Sequence, residues 1–415
     1  MNVNRLIHKA GTLLLRLGLI LCLGVMACAT PATMPTPPPA SEHIPAPIPT
    51  PVPAPAPVPT PTPTPTLTPT PSPNLETAEA TITGNHTVAD FPNTIAFTLE
   101  GSSTLPVTNV DLEYGTSKRS LVSEVSRVEP DYAPGVKIRA SWIWQMKKTG
   151  SLPPGAEVWW RWRLTDEVDR TYVTPRQTLV WEDDRFEWQI ENAQDLDIYW
   201  HSLGTNLVKE LTEGVESRLS RVKLGVDIPK ERKPKVFAYP NVEELRGAIL
   251  FTSEWTGALA FTEYNIILIP VRSDNLDWAK RTLAHEITHL LVNESTFGPF
   301  GDIPTWLTEG LAQYAEGEME EYLLQVLDRA IKEDKLISVR SLGSGFPADP
   351  DQAILSYAQS MSLVSYLVET YNWAAMRELL DVFKEGNTYD NALQMVYSFN
   401  VNGLEELWRA HVGAS

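Results

Sequence analysis

The sequence of 415 residues has only two cysteines, and both, Cys22 and Cys28, lie within its first 28 residues. The rest of the chain can therefore form no disulfide. Basic residues are also few: 34 lysines and arginines stand against 52 aspartates and glutamates, which gives a net charge of −18. This balance argues against nucleic acid as a partner and against charge-driven binding to an anionic membrane surface. The sequence shows no internal repeat, glycine-rich phosphate loop or basic patch.

Residues 1–29 have the pattern of a signal peptide rather than of a folded element. Three basic residues without any acid precede an apolar run, 17–25, that is too short to span a bilayer comfortably. Val25-Met26-Ala27-Cys28 resembles the bacterial lipobox, and this resemblance implies that Cys28 is lipidated and becomes the mature N-terminus. Ala27-Cys28-Ala29 also fits a simple secretory cleavage site. The expected location is therefore extracytoplasmic, as a membrane-anchored lipoprotein or, alternatively, as a secreted protein.

Residues 30–75 are dominated by proline. Of the 34 prolines in the chain, 19 lie between Pro31 and Pro73, mostly alternating with threonine, alanine or valine. Alternating proline prevents helix and sheet hydrogen bonding and favours extended polyproline II. The segment is predicted to be a disordered, semi-rigid linker that lifts the following domain off the membrane.

Residues 76–185 are predicted to form an all-β domain, because apolar residues there alternate with a period of two. Several short strands separated by turns such as Pro153-Pro154-Gly155 favour a sandwich of immunoglobulin or fibronectin type. The clustered tryptophans suit either carbohydrate stacking or core packing, and core packing is favoured because the alternating ones share one face. The predicted strands are 95–99, 110–114, 138–144 and 158–164.

Residues 186–415 are numerous enough for one α+β domain, and they contain the pattern that is most informative about chemistry. In His285-Glu286-Ile287-Thr288-His289 the histidines lie four residues apart, so on a helix they project from the same face. One Zn²⁺ ion can then accept an imidazole nitrogen from each. Glu309 is predicted to be the third ligand, which leaves a fourth position open for catalysis. Glu286 is then free to act as general base on the zinc-bound water.

Helix signals surround both parts of this pattern. Serine and aspartate at residues 273–277 offer N-cap chemistry for a helix that runs to about Val292, with one apolar side facing the core. Pro304, with Asp302 just before it, suits the start of a second helix that carries Glu309 and Glu316 along one side. Two histidines at this spacing often lie on a solvated or hydrogen-bonded helix face and bind no metal. Its conjunction with a second helix and a suitably placed acid favours a metal site.

These two patterns resemble those of the gluzincin zinc metallopeptidases, specifically the bacterial peptidase MA-like domain group. The second motif of that group reads Trp-Leu-x-Glu-Gly-x-Ala, which matches 306–312 here. In that group its glutamate is the third zinc ligand, and the resemblance implies the same role for Glu309. The resemblance covers about Trp188 to the C-terminus. It implies a mostly helical zincin-type catalytic domain with a small sheet, so the chain is predicted to be α+β with the all-β domain first. Metzincins instead need a glycine and a third histidine where Val292 and Ser295 stand.

The resemblance also bears on the reaction. Family aminopeptidases carry a Gly-x-Met-Glu-Asn loop before the zinc helix, whereas the comparable Gly257-Ala258-Leu259-Ala260 has no acid, which favours cleavage within a chain. The run Tyr264–Ile269 is predicted to be a strand, either an edge strand that pairs with an extended substrate or an ordinary core strand. Residues 356–360 resemble the family's Tyr-Ala-x-Ser segment, so Tyr357 is the candidate oxyanion stabiliser. The alternative is that Tyr357 is a core residue of an amphipathic helix.

The leading hypothesis from the sequence is a zinc-dependent peptidase, with endopeptidase action favoured, at the outer face of a bacterial membrane. Its substrate would be a peptide or protein, its cofactor Zn²⁺, and its anchor a lipid on Cys28. The rival hypothesis is a non-catalytic surface adhesion protein with a degenerate metallopeptidase scaffold. The presence of Glu286 favours the enzyme, since a degenerate site does not need a general base.

Overall fold

The computed structural model describes residues 80–120, 124–149, 151–222, 224, 232–250, 257–299 and 303–414. The predicted signal peptide with Cys28, the predicted proline-rich linker and Asp302 lie outside these residues. Within the described ranges, no helix is both long enough and apolar enough to cross a membrane.

A seven-stranded antiparallel sheet occupies residues 80–181, and its organising element is the long strand β2. The first half of β2 pairs with β1 and β4, whereas its second half pairs with β3 and β5. β5 pairs in turn with β6 and β7. The elements are β1 (Ala80–Asp90), β2 (Thr94–Thr116), β3 (Ser126–Val128), β4 (Gly135–Gln145), the short helix α1 (Met146–Thr149), β5 (Ala156–Asp166), β6 (Thr171–Val173) and β7 (Gln177–Trp181).

The predicted runs of alternating residues are strands, but the first two are one strand. β2 continues through a register shift between Ser102 and Val107 instead of ending in a turn. The ring of Phe97 in its first half lies 6.2 Å from that of Tyr114 in its second half, so both halves contribute to one core. Trp162, fully buried in that core, illustrates the core packing that was favoured for the tryptophans. The immunoglobulin or fibronectin type of sandwich stays a prediction.

A second sheet has five strands in the order β11-β12-β10-β9-β8. β9, β10 and β12 are parallel, and an antiparallel strand lies at each edge. The strand that precedes the histidine motif, β12, is therefore internal. The edge-strand alternative for that run was wrong, and the core-strand alternative is confirmed. The strands are β8 (Gln189–Asn192), β9 (Asp197–Trp200), β10 (Lys235–Tyr239), β11 (Leu259–Phe261) and β12 (Ile266–Pro270).

Both faces of this second sheet are buried. Alternate residues such as Ala238 and Ile267 belong to a core shared with the helices, whereas Phe237 and Leu268 belong to a core shared with the first sheet. The turn before β5 comes close to this second face: a Cβ on Gly155, whose φ is 85°, would lie 2.9 Å from the Phe237 ring. The first sheet thus covers one face of the second sheet as the helices cover the other.

All regular elements after β12 are helical within the described residues, which confirms a mixed α and β fold with a mostly helical C-terminal part. The longest helix, α7, contains the non-helical residue Asn372 (φ 68°), so it consists of two helices joined by a kink. The helices of the second half are α2 (Thr205–Leu219), α3 (Val242–Arg246), α4 (Leu276–Thr296), α5 (Thr305–Glu316), α6 (Glu321–Lys332), α7 (Pro350–Lys384), α8 (Tyr389–Tyr397) and α9 (Val401–His411).

The first sheet contains one buried carboxylate with three arginine partners. Glu113 on β2 is 1% exposed and accepts hydrogen bonds from Arg127, Arg161 and Arg163 on the neighbouring strands. Burial alone would raise the pKa of Glu113, but the three arginines outweigh it and lower the pKa from 4.5 to about 2. The charged form is therefore favoured in the folded state.

We expect Glu113→Gln to reduce the free energy of unfolding at pH 7 by about 2 kcal/mol, because the arginines lose their shared counter-charge. Since the folded pKa lies below 4.5, the contribution of Glu113 is complete above that pH and is lost as the pH falls towards about 2. Urea unfolding of wild type and variant at pH 7 and pH 3 measures this difference. Glu100→Gln is the control, because Glu100 on the same strand is exposed and pairs with the exposed Arg139. Equal stabilities of Glu113→Gln and wild type at pH 7 would contradict the prediction.

Candidate metal centre and active site

Helix α4 carries the histidine motif and is buried on nearly all sides at that point. It begins after Asn275 rather than after residues 273–274, and it runs to Thr296, beyond the predicted end at Val292. Residues 282–288 are buried without interruption, because α4 lies against α2, α5 and the second sheet. The sequence predicted that one side of α4 faces the core, but in the structure a larger part of the helix surface is buried. Neighbouring elements thus enclose the histidine motif.

The structure brings the three predicted ligands together. The Nε2 atoms of His285 and His289 lie 3.1 Å apart, and Oε2 of Glu309 lies 3.5 Å from the first and 3.6 Å from the second. Among the described residues, this is the one group of three or more such side chains that could hold a metal ion. His285 is fully buried, while His289 and Glu309 are partly buried.

This triangle fits a tetrahedral zinc ion. Metal–ligand distances of about 2.0–2.1 Å at tetrahedral angles place ligand atoms about 3.3 Å apart, close to the three separations observed. Oε2 of Glu309 is buried and has no hydrogen-bond partner among the described residues, although an unpaired buried carboxylate oxygen is costly. A cation between this oxygen and the two nitrogens would remove that cost. Two neutral imidazoles and a carboxylate are also ligands that zinc prefers.

Glu316 fixes the orientation of the first histidine. Its Oε1 lies 2.8 Å from Nδ1 of His285 and also accepts a hydrogen bond from Gln313, at 2.7 Å. Because a carboxylate can only accept, Nδ1 carries the proton and Nε2 is left free to bind a metal. Arg281 lies 3.3 Å from the other oxygen of Glu316. The sequence analysis placed Glu316 on the same side of α5 as Glu309 but assigned it no function. The two residues are seven positions apart, which is two helical turns, and this spacing is the signal that could have identified Glu316 as a residue of the site.

Charge and burial set the pKa values of the site in the metal-free chain. Burial would lower the pKa of His285, but Glu309 and Glu316 outweigh it and raise the pKa to about 10. Burial would raise the pKa of Glu309, yet His289 and His285 lower it to about 2. For Glu286, burial dominates over the nearby histidines and raises its pKa. Glu309 is thus held as an anion, whereas Glu286 is brought nearer to the range in which a carboxyl exchanges protons.

Helix α5 holds Glu309 in place through two buried contacts. Trp306 is fully buried and donates a hydrogen bond from its indole to the Tyr389 hydroxyl. Gly310 lies so close to α7 that an added Cβ would be 2.4 Å from the carbonyl oxygen of Ser360. Pro304 occupies the N-cap position of α5, one residue before the helix begins. The Trp-Leu-Thr-Glu-Gly sequence therefore combines a ligand with the packing residues that position it.

Tyr357 lies on α7, the helix that packs against Glu309's helix. It is 3% exposed, and the Phe346 ring packs edge-on against it at 5.0 Å. Burial, followed by the charges of Glu309 and Glu286, raises the pKa of Tyr357, so its hydroxyl stays protonated. The neighbouring Gln359 instead hydrogen-bonds both backbone groups of Ile337 and is structural.

Comparison with known proteins agrees with this centre. Residues 219–414 match the family model described as Peptidase MA superfamily, which supports a gluzincin-type peptidase domain in this part of the chain. The match begins later than the predicted resemblance, which started at Trp188. It contains all three residues of the triangle together with Glu286. No curated protein matches the chain.

Two solved structures show weak likeness to the chain. The crystal structure of a Br derivative of BhCBM56 is 10% identical, with a TM-score of 0.17, over 23% of this chain and 88% of that chain. A polysaccharide deacetylase from Bacillus cereus is also 10% identical, with a TM-score of 0.21, over 44% of this chain and 58% of that chain. Such low TM-scores indicate neither a shared fold nor a shared function.

We expect His289→Ala or Glu309→Ala to abolish stoichiometric zinc binding, because each removes one of three ligands. Glu316→Gln should weaken zinc affinity by about 10–100-fold, since the amide no longer provides a charged acceptor for Nδ1 of His285. Competition with a chromophoric chelator measures both effects. Glu318→Gln is the matched control, because Glu318 is exposed and two residues away. Wild-type zinc affinity in Glu316→Gln would overturn its orienting role, and stoichiometric zinc in His289→Ala would overturn the ligand assignment.

Proposed function

We propose that this chain is a zinc-dependent peptidase that hydrolyses peptide bonds within a polypeptide, with Glu286 as general base. The observation that carries the proposal is the triangle formed by His285, His289 and Glu309, whose edges of 3.1–3.6 Å suit a tetrahedral ion. The match of residues 219–414 to the Peptidase MA superfamily supports the same reaction class. Three protein ligands would leave one position open, which distinguishes catalytic from structural zinc.

The residues of the chain divide the chemical work. A bound Zn²⁺ ion would supply Lewis-acid chemistry, which polarises the scissile carbonyl and acidifies water. Glu286 takes a proton from the attacking water and delivers it to the leaving amine. Its burial, which raises its pKa, suits a carboxyl that must both accept and return a proton. Glu316 keeps His285 in the tautomer that presents Nε2.

Endopeptidase action is favoured by the segment before α4. Gly257-Ala258-Leu259-Ala260 leads into the edge strand β11, and it contains no acid that would bind a substrate's α-amino group. Ala258 and Ala260 pack against the core that also contains α4. β11 is the edge strand of its sheet and pairs with β12 on one side only among the described residues, so its other side is where an extended substrate would pair.

The deciding experiment compares wild type with Glu286→Gln. The variant keeps the shape of the side chain and should bind zinc normally, but its turnover should fall by about 10²–10⁴-fold because the amide cannot accept the proton. Cleavage of a peptide library, read by mass spectrometry, gives activity and cleavage position, and elemental analysis gives zinc content. Glu213→Gln, an exposed position on α2, is the control. Near-normal turnover of Glu286→Gln with bound zinc would rule out the mechanism, and no turnover by zinc-loaded wild type would support the adhesion scaffold instead.

We further propose that Tyr357 donates a hydrogen bond to the oxyanion of the tetrahedral intermediate. Such a bond forms mainly in the transition state, so Tyr357→Phe should lower kcat by about 10²-fold while KM, zinc content and stability change little. The packing of Phe346 on the ring is retained in this variant. Steady-state kinetics decides the role: an unchanged kcat would show that Tyr357 is only a core residue.

We propose an extracytoplasmic location with a lipid on Cys28, supported by the lipobox-like Val25-Met26-Ala27-Cys28. Cys28→Ser should then release the protein from the membrane fraction or leave it as an unprocessed precursor. Mass spectrometry of the mature wild-type N-terminus measures the acyl adduct directly. A mature protein without it would indicate plain secretion.

A further inference from the structure

The end of β2 and the three residues after it, segment 116–119, connect the first sheet to the turn between β11 and β12. Oγ1 of Thr116 and the hydroxyl of Tyr264 lie 3.3 Å apart. The backbone N–H of Arg119 donates a hydrogen bond to the carbonyl oxygen of Glu263 at 2.7 Å. Both partners belong to the turn that follows β11, so the first sheet holds this turn directly.

The side chain of Arg119 extends from the same segment to the last turn of α4. Its guanidinium donates to the side-chain carboxylate of Glu294 and, at 3.3 Å, to the main-chain carbonyl oxygen of the same residue. It also lies over the ring of Phe297, the C-cap residue of α4, at 3.8 Å. The two charged side chains are only 13% and 17% exposed, so water has little access to the pair. Arg119 therefore bridges the β11–β12 turn and α4, the first through its main chain and the second through its side chain.

This bridge lies within reach of a substrate at the candidate metal centre. Glu294 follows His289 by five residues on α4, which is roughly 8 Å along the helix axis. An extended peptide advances about 3.3 Å per residue, so the bridge is about three substrate residues away from the metal ligands. β11 is the strand proposed above to pair with such a substrate. The Arg119 bridge thus connects the substrate-pairing strand with the helix that carries the histidines.

We propose that Arg119 is a positioning residue for peptide hydrolysis, which fixes β11 relative to α4 and so aligns a bound substrate with the metal centre. A misplacement of about 1 Å in an active site can lower turnover by up to about 10²-fold, so a fixed separation of these two elements has a catalytic effect. The inference rests on the proposed peptidase function. It gives the first sheet a part in the substrate groove, because Arg119 belongs to the segment that follows β2, and distinguishes it from an independent binding domain.

The chain offers a closely matched pair of variants for the test. Arg232, three residues before β10, also pairs with Glu294, at 2.9 Å. Arg232→Gln therefore removes the same charge from the same carboxylate but leaves the bridge from the first sheet in place. In Arg119→Gln the carboxylate of Glu294 keeps Arg232 as its partner, so no buried charge is left without a counter-ion. Arg119→Lys retains a cation and should recover part of any loss.

Steady-state kinetics on two library peptides, the shortest and the longest that zinc-loaded wild type cleaves, measures the effect on catalysis. Only the longer peptide makes full use of β11, so its kcat/KM should fall by about tenfold in Arg119→Gln, against less than about twofold for the shorter one. Arg232→Gln should cleave both peptides as wild type does, and zinc content should be unchanged in both variants. Equal losses for the two peptides, no loss for either, or the same loss in Arg232→Gln would overturn the proposal.

Hydrogen exchange followed by mass spectrometry tests the bridge without relying on activity. Exchange in residues 259–265, which contain β11 and the turn after it, should be faster in Arg119→Gln than in wild type or Arg232→Gln. The reason is that the segment holding this turn is no longer tied to α4. Unchanged exchange would overturn the proposal. Faster exchange without any turnover by zinc-loaded wild type would instead reject the peptidase function and the role of Arg119 in it.

Discussion

The close contact between Gly310 on α5 and the backbone of Ser360 on α7 is the constraint on which the candidate site depends. An added Cβ would be 2.4 Å from a carbonyl oxygen, which is backbone and cannot move aside easily. Because Glu309 precedes Gly310 directly, any separation of the two helices would displace that ligand from the histidines. Tyr357 lies one turn before Ser360, so the same contact sets its distance from Glu309. The absence of a side chain at Gly310 thus allows the close helix packing that sets the position of Glu309 relative to Tyr357.

Opposing charges provide the second requirement of the site. His285 lies between two carboxylates, with Glu309 near its Nε2 and Glu316 at its Nδ1. Buried carboxylates so close together repel each other and are costly unless cations or hydrogen bonds compensate them. Gln313 and Arg281 compensate Glu316, but within the described part of the chain Oε2 of Glu309 has no hydrogen-bond partner. This asymmetry leaves one carboxylate structural and makes the other available to a cation.

The sequence was informative wherever a function depends on local spacing. The four-residue separation of His285 and His289 and the acid of the second motif predicted a grouping that the structure shows. Local spacing could not predict contacts between segments that are distant in the sequence. Glu316 was placed on the correct side of α5, but its partner is His285 on another helix. The uninterrupted burial of residues 282–288 of α4 likewise could not be read from its own apolar stripe, because neighbouring elements cover its polar residues. The internal position of β12 depends on the pairing order of the sheet, which periodicity does not encode.

The two-sided burial of the second sheet has a consequence for how this protein can change over evolutionary time. Phe237 and Leu268 on one face belong to the core of the N-terminal sheet, while Ala238 and Ile267 on the other face belong to the helical core. Because alternate residues of β10 and β12 point to opposite faces, a substitution there changes the packing against either the first sheet or the helices, but not against both. The N-terminal sheet could be exchanged for an unrelated domain only if that domain supplied an apolar surface complementary to the Phe237 and Leu268 face of the second sheet. Recombination at this boundary is consequently restricted, although the helical side and its metal residues can diverge independently.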